Sequence, residues 1–296
     1  MNLDQRRVDQ IIRFALKEDT WQGDITSEAV ISDAQEADAV VISRSSGMIC
    51  GMEIIERVFA SCDDTLRFRP MVKDGEQIEP EQEIAFVEGN VRSILRAERT
   101  ALNFLSLLSS VATKTREMVD LVEGTNAKIY DTRKTIPLHR YFEKYAVKTG
   151  GGVNHRYGLW DMVLIKDNHV RAYSEDNPGL DTQAVIQEMI KKTRSSVQQN
   201  VKIEIEVETL KECEYALDEK PDIIMLDNMS AEKLKKAVQL RREKGLEGKV
   251  LFEASGGITL DNVREYAETG VDRISTGSIT SSIDPIDFSL EIIVKS

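Results

Sequence analysis

Six short apolar runs, AKIY, MVLI, VKIEIEV, DIIML, KVLFE and DRIS, recur between residues 127 and 275, with helical stretches at Thr182–Arg194, Ala231–Lys244 and Asp261–Glu268 between the later members. Strands that alternate with helices pair in parallel, because each connection must cross back over the sheet. Two architectures satisfy that pattern, a closed or nearly closed α/β barrel and an open doubly wound sheet. We favour the barrel. No G-x-G-x-x-G follows the first run, so the usual dinucleotide fingerprint is absent.

Each run ends in chemically able residues: DTRKT, KDNH, ETL, LDN, ASGG and STGS. In a barrel those ends share one mouth. Helix caps account for some of these residues, but random polarity would decorate both strand ends equally. Glu204, Glu206 and Glu208 alternate with Ile203, Ile205 and Val207, which puts three carboxylates on one strand face. Parallel strands are ordinarily apolar on both faces. The acids therefore point into something polar, either a salt-bridged interior or a ligand site. Glu206 with Asp227, at the end of the next run, offers hard oxygen ligands suited to Mg²⁺, directly or through water; Glu204 and Glu208 are candidates for structural roles. Ser255, Gly256 and Gly257 follow the fifth run, and Thr276, Gly277 and Ser278 the sixth. Barrels commonly build a phosphate cradle from backbone amides at that location.

Charge sharpens the picture. The formal net charge is -12, yet Thr132–Trp160 holds Arg133, Lys134, Arg140, Lys144, Lys148 and Arg156 against one acid, Glu143. Cations gathered in an anionic molecule attract a small anion, while the global charge repels nucleic acid and anionic membranes. Arg140, Lys144 and Lys148, spaced by four, read as a solvated helix face. Arg133, Lys134, Arg156 and Lys166 stand at strand–loop junctions and read as a site. No cysteine neighbours a histidine and no GxSxG or SxxK occurs, so the chemistry proceeds by binding, orientation and charge stabilisation. Cys50, Cys62 and Cys213 lack metal spacing and read as free thiols.

The preceding segment has another period. Residues 3–18 read as an amphipathic helix and EDTWQGDITS as a turn; Ala37–Ser43, Met48–Met52, LRFRPMV and EIAFVEG read as strands. A helix from Arg92 to Val122 follows, with Ser109 and Ser110 as a candidate break. Its stripe of Leu95, Ala101, Leu102, Leu105 and Leu108 includes Glu98 and has Arg99 at its edge, either a structural ion pair or the wall of a charged pocket. With 296 residues there is chain enough for two domains. The start carries no apolar leader and no apolar run reaches spanning length, which points to the cytoplasm.

The motifs AERTALNFLSLLSSVAT, DTRKT, EKYAVKTGGGVNHRYGLWDMVLIKDNH, IIMLDNMS, FEASGGI and TGVDRISTGSIT resemble, along nearly the whole chain, the quinolinate phosphoribosyltransferases, a type II phosphoribosyltransferase family. The resemblance implies an N-terminal α/β sandwich over 1–112, completed by a tail at about 281–296, and an incomplete TIM-like α/β barrel over 113–280. It implies a decarboxylating transfer of phosphoribosyl from phosphoribosyl pyrophosphate to quinolinate, with Mg²⁺ and no organic cofactor, a step toward NAD. It implies a homodimer with a shared active site, a hexamer being the alternative. Carried over by position, Arg99, Arg133, His155, Arg156 and Lys166 hold the carboxylates of quinolinate, with Arg44 from the partner subunit. Thr132 joins the substrate set. Lys134 and Lys166 meet phosphates, Glu206 and Asp227 the ribose and magnesium waters, and Ser255–Gly257 with Thr276–Ser278 the 5′-phosphate. Catalytic roles fall to Lys134, Lys166, Glu206 and Asp227. Where many relatives carry histidine after the last TGxxT, this chain has Ser281, which stays unassigned. Two other readings remain open: a molybdenum-uptake-associated paralogue of the same fold, and a noncatalytic anion- or nucleotide-binding barrel.

Overall fold

A computed structural model describes residues 4–293, which form two units. The first takes the described residues up to Arg116, then Ile136–Gly151, then the chain from Ser282. It begins with α1 (Gln5–Asp19), whose Asp4 cap accepts the Arg6 N–H and whose Val8, Ile12 and Leu16 are buried at helical spacing. Leu3, the first residue of the expected helix, lies outside the described residues. The stretch read as a turn instead runs into α2 (Ile25–Val30), capped by Asp24.

β1 (Glu36–Ser43) lies between β5 (Glu83–Asn90) and β12 (Phe288–Ile293), and β3 (Arg67–Pro70) lines the far side of β5, all antiparallel. The C-terminal strand thus completes the N-terminal sheet. β2 (Gly47–Met48) pairs with β4 (Gln77–Ile78) in a separate ladder. The expected strand Met48–Met52 is cut short, because Met52 opens α3 (Met52–Cys62). Gly51 turns the chain at φ +113°, and one oxygen of Asp74 accepts both the Gly51 and Met52 N–H groups at 2.9 Å. That remote cap, with Ile54, Ile55, Val58 and Phe59 buried along the helix, outweighs the strand pattern.

α4 (Val91–Leu121) starts in this unit and is unbroken. Ser109 and Ser110 are buried and hydrogen-bond instead: Ser109 Oγ accepts from Cys50 N, and Ser110 Oγ donates to Ser106 O and accepts from Ile286 N. α5 (Arg140–Thr149) belongs to the first unit as well, whereas a single sequence cut at 112 places it in the barrel. Its Phe142 packs edge-on against Phe104 at 5.3 Å, and its Tyr145 hydroxyl donates to Asp74 at 2.7 Å. The solvated face expected at Arg140, Lys144 and Lys148 fails in the middle: Lys144 is 1% exposed. Tyr141, Phe142, Glu143, Ala146 and Val147 are buried too, so α5 is enclosed on more than one side.

The second unit comprises Glu117–Thr135 and Gly152–Ser281. Its strands are β6 (Lys128–Tyr130), β7 (Val163–Ile165), β8 (Ile203–Val207), β9 (Ile223–Asp227), β10 (Leu251–Ser255) and β11 (Arg273–Ser275), all parallel. Between and after them come α6 (Asp167–Asp176), α7 (Thr182–Ser196), α8 (Leu210–Glu219), α9 (Ala231–Glu243), α10 (Val263–Ala267) and the short α11 (Ser278–Ser281). All six expected strands form. The sheet order is β6-β11-β10-β9-β8-β7. First strand pairs with last and each strand from β8 onward with its predecessor, so the ring is broken between β6 and β7, beside a bridge from Tyr130 to Val153. An open doubly wound sheet would reverse its order midway. This is an incomplete α/β barrel. Among the described residues no helix is long and apolar enough to cross a membrane.

Candidate active site

Because the six strands are parallel, their C-terminal ends lie at one edge of the second unit, and most of the expected residues stand there. Asp227 and Ser255 end β9 and β10 side by side, and Ser255 pairs with Ser275 at the end of β11. Thr132 follows β6 and accepts the Lys134 N–H at 3.0 Å; the Thr280 hydroxyl donates to the Lys134 carbonyl at 2.6 Å. A Cβ on Gly277 would meet Lys134 Cδ at 2.9 Å and Thr132 Oγ1 at 3.5 Å, so the loops after β6 and β11 touch. Thr276 Oγ1 donates to Ile258 O and lies 2.9 Å from Ser278 Oγ, which ties the loops after β10 and β11 together. Ser281 closes α11 by donating to Gly277 O.

The two glycines of ASGGIT differ. Gly256, at φ +95°, is pressed by Asn228, whose backbone N would lie 3.0 Å from a Cβ there. Its smallness serves that neighbour. Gly257, at φ +64°, has no atom within 4 Å of such a Cβ and presents its backbone to open space.

Lys166 Nζ reaches Glu206 Oε2 at 2.7 Å, and the Lys166 N–H donates to His169 Nδ1 at 2.8 Å. Burial, then Glu206, push the Asp227 carboxyl up, with Lys166 opposing. Two neighbouring carboxylates thus compete for one lysine. Glu208 lies one residue past β8, exposed, its N–H donating to Glu212; the shared strand face ends at Glu206.

Arg156 is 8% exposed and one of its terminal nitrogens donates to Met162 O at 3.2 Å. Burial and then the positive charge of Arg133 pull its pKa down. His155, also buried, donates its backbone N–H to Asp131 at 2.8 Å, and its Nδ1 accepts the Arg156 N–H at 2.7 Å. Its Nε2 lies 3.0 Å from Glu204 and 3.3 Å from Glu253, and Arg273 Nε lies 2.7 Å from the other Glu253 oxygen. Burial disfavours protonation of His155, but the hydrogen bonds to Glu204 and Glu253 outweigh it and raise its pKa to about 9. Burial and then Glu253 push Glu204 up, while His155 and Arg273 overcome burial to hold Glu253 down. With Arg273 positive and Glu253 negative, one further proton on the His155–Glu204 pair leaves the buried set electroneutral.

Arg133, Lys134, His155, Arg156, Lys166, Glu206, Asp227 and the two glycine loops therefore share one edge of the barrel. Arg44 and Arg99 belong to the first unit. Arg44 is paired with Glu81 and Glu291 and donates to Ser289 at 3.0 Å; Arg99 is exposed on α4. Half-buried Glu98, next to it, has its pKa raised by burial, with Arg99 opposing. The sequence reading missed Glu253 and Arg273, each a lone charge in an apolar strand run without the alternation that singled out Glu204.

Comparison with known proteins agrees with this geometry. Residues 24–109 match the N-terminal domain and residues 111–291 the C-terminal domain of quinolinate phosphoribosyl transferase. The chain is 38% identical over 288 residues to a probable nicotinate-nucleotide pyrophosphorylase (carboxylating) of Methanocaldococcus jannaschii, covering 96% of each chain. It is 38% identical over 286 residues to the nicotinate-nucleotide pyrophosphorylase (carboxylating) of Mycobacterium leprae, covering 95% of each. The solved nicotinate-nucleotide pyrophosphorylase of Francisella tularensis superposes with a TM-score of 0.88 at 37% identity, over 99% of this chain and 98% of that one. Both domain models match in chain order and the relatives align along nearly their full length, so the chain belongs to the quinolinate phosphoribosyltransferase family.

Proposed function

We propose that this enzyme transfers the phosphoribosyl group of phosphoribosyl pyrophosphate to quinolinate, yielding nicotinate mononucleotide, pyrophosphate and CO₂ for NAD synthesis. The observation that carries the reading is the gathering of Arg133, Lys134, Arg156 and Lys166 after strand ends at one edge of the barrel, with Arg156 buried. Arg133 is exposed and Arg156 buried, and the like charge is a cost to the free protein that a bound anion relieves. Quinolinate brings two carboxylates, and a planar guanidinium can meet each through paired hydrogen bonds where an ammonium offers a point charge.

In this assignment Arg133, His155 and Arg156 hold the pyridine diacid, and Lys166 stands between it and Glu206. Lys134, beside Gly277, meets the pyrophosphate and draws off the negative charge that grows as it leaves. The loops Ser255–Gly257 and Thr276–Ser278 hold the 5′-phosphate, with the open backbone at Gly257 as its closest approach. Glu206 and Asp227 fit a divalent cation: both are oxygen donors, and the Asp227 carboxylate, disfavoured by burial and Glu206, would be relieved by a cation. Magnesium held there, directly or through water, would neutralise the pyrophosphate. Arg44 of the partner subunit and Arg99 complete the carboxylate set in a cytoplasmic homodimer with a shared site.

The test is pyrophosphate release from phosphoribosyl pyrophosphate, expected with quinolinate and magnesium and absent with nicotinate or without the metal. No release with any pyridine acid from well-folded protein sinks the enzyme reading in favour of a noncatalytic anion binder.

A further inference from the structure

Behind His155 the barrel interior contains two further charges, Arg273 and Glu253, to which no ligand is assigned. Arg273, the first residue of β11, is 6% exposed and its guanidinium carbon lies 3.9 Å from the centroid of the Tyr130 ring. Glu253, its neighbour in register on β10, is fully buried and grips Arg273 Nε with one oxygen while the other faces His155 Nε2. His155 is followed directly by Arg156, and its own ring nitrogen Nδ1 accepts the Arg156 N–H. A planar, buried side chain with a backbone hydrogen bond at Nδ1 and two carboxylates within 3.3 Å of Nε2 is confined in orientation, and it sets the backbone from which Arg156 departs.

We propose that Arg273 and Glu253 are positioning residues for the diacid pocket: Tyr130 seats Arg273, Arg273 orients Glu253, and Glu253 with Glu204 locks the His155 ring that sets Arg156. The proposal rests on the assignment of Arg156 to quinolinate given above. A metal ion is the competing reading, since donor atoms of His155, Glu204 and Glu253 lie within 4.8 Å of one another. Arg273 already supplies a buried positive charge at Glu253, and a divalent ion would add more beside it.

Positioning predicts an effect confined to one substrate. Displacing a binding group by about 1 Å costs on the order of a hundredfold, and the phosphate loops do not hang on this chain of residues. Glu253→Gln, which keeps the shape and removes the charge that holds Arg273 and His155, is expected to raise the KM for quinolinate at least tenfold. The KM for phosphoribosyl pyrophosphate should stay within twofold. Arg273→Met should act similarly, and Arg273→Lys, which keeps the cation, should recover part of the loss. If Glu253→Gln does not fold, the comparison of Arg273→Lys with wild type in a quinolinate titration decides the matter alone. Folded variants with unchanged quinolinate KM, equal rises in both KM values, or one equivalent of tightly held metal lost on Glu253→Gln each overturn the proposal. Wild-type protein inactive with quinolinate would overturn the functional assignment instead, so the two failures are distinct.

Discussion

At the two ends of its six parallel strands the second unit treats charge in opposite ways. At the N-terminal ends Arg241, 1% exposed, is paired with Asp272 and donates to Val250 O at 3.0 Å, while Asp272 also accepts the Phe252 N–H at 2.7 Å. Arg194 and Asp222 repeat the device at 3.1 Å, and Asp222 accepts the Ile203 N–H. At the C-terminal ends Arg156 adjoins Arg133 and Asp227 adjoins Glu206. One end matches each of these ions with an opposite charge and a backbone donor or acceptor; the other has partners too, Lys166 for Glu206 and Met162 O for Arg156, but also sets like beside like. Compensated charge holds strands in register, whereas a like-charge neighbour raises the energy of the free protein, a cost that falls when a ligand of opposite sign binds.

The largest effect is expected where compensation is complete. Arg241→Met strands Asp272 beside Phe252, whose ring also loses a guanidinium 4.6 Å from its centroid. Breaking a buried pair costs about 3–5 kcal/mol, and since the Asp272 side chain keeps 27% exposure the lower figure applies. Urea unfolding should register the loss, with quinolinate KM unchanged in the folded fraction. A loss under about 1 kcal/mol would mean that this end is no more structural than a surface ion pair.

At the other end the pattern should invert. Arg133→Lys or Arg156→Lys is expected to weaken quinolinate binding by about 1.5–3 kcal/mol, the range for hydrogen bonds to charged groups, with no loss of stability for exposed Arg133→Lys. Calorimetric titration beside thermal unfolding checks both halves; unchanged affinity removes that arginine from the pocket. Asp227→Asn removes a carboxylate that burial and Glu206 disfavour, so unfolding should shift to higher denaturant while magnesium-dependent turnover falls about 10–100-fold. Normal kinetics would reassign Asp227 to holding the Asn228 side chain, which donates to it at 2.6 Å.

The contrast between the ends also explains what the sequence disclosed. The barrel strands were legible because a local period of apolar runs coincides with burial in a parallel sheet, and the mouth because polar residues followed each run. Ser109 and Ser110 misled because a polar pair inside an apolar helix looks like a break until its partners at Cys50 and Ile286, far along the chain, are known. α3 was hidden for the same reason, its cap being Asp74. Lys144 looked solvated because helical spacing reports a stripe and says nothing of how many sides of the helix are covered. Glu253 and Arg273 went unread because a lone charge in a strand acquires meaning only across strands, through register. Local patterns surface in sequence; caps, buried pairs and cross-strand networks depend on residues distant in the chain.

The smallest effect tests whether the loop after β10 belongs to the ligand end or is an ordinary connection. Gly256→Ala would drive a Cβ into Asn228 and lose stability through the clash, whatever the loop binds. Gly257→Ala meets no atom, so its structural cost is that of a left-handed alanine, about 1 kcal/mol in urea unfolding. If phosphate oxygens approach that backbone, the added methyl group also occupies the space they need. The KM for phosphoribosyl pyrophosphate should then rise several-fold while that for quinolinate holds, the mirror image of the Glu253→Gln result. An unchanged KM would leave Gly257 as a turn residue required by its φ alone, and would shift the phosphate contact to the Thr276–Ser278 loop, where Lys134 already crowds Gly277.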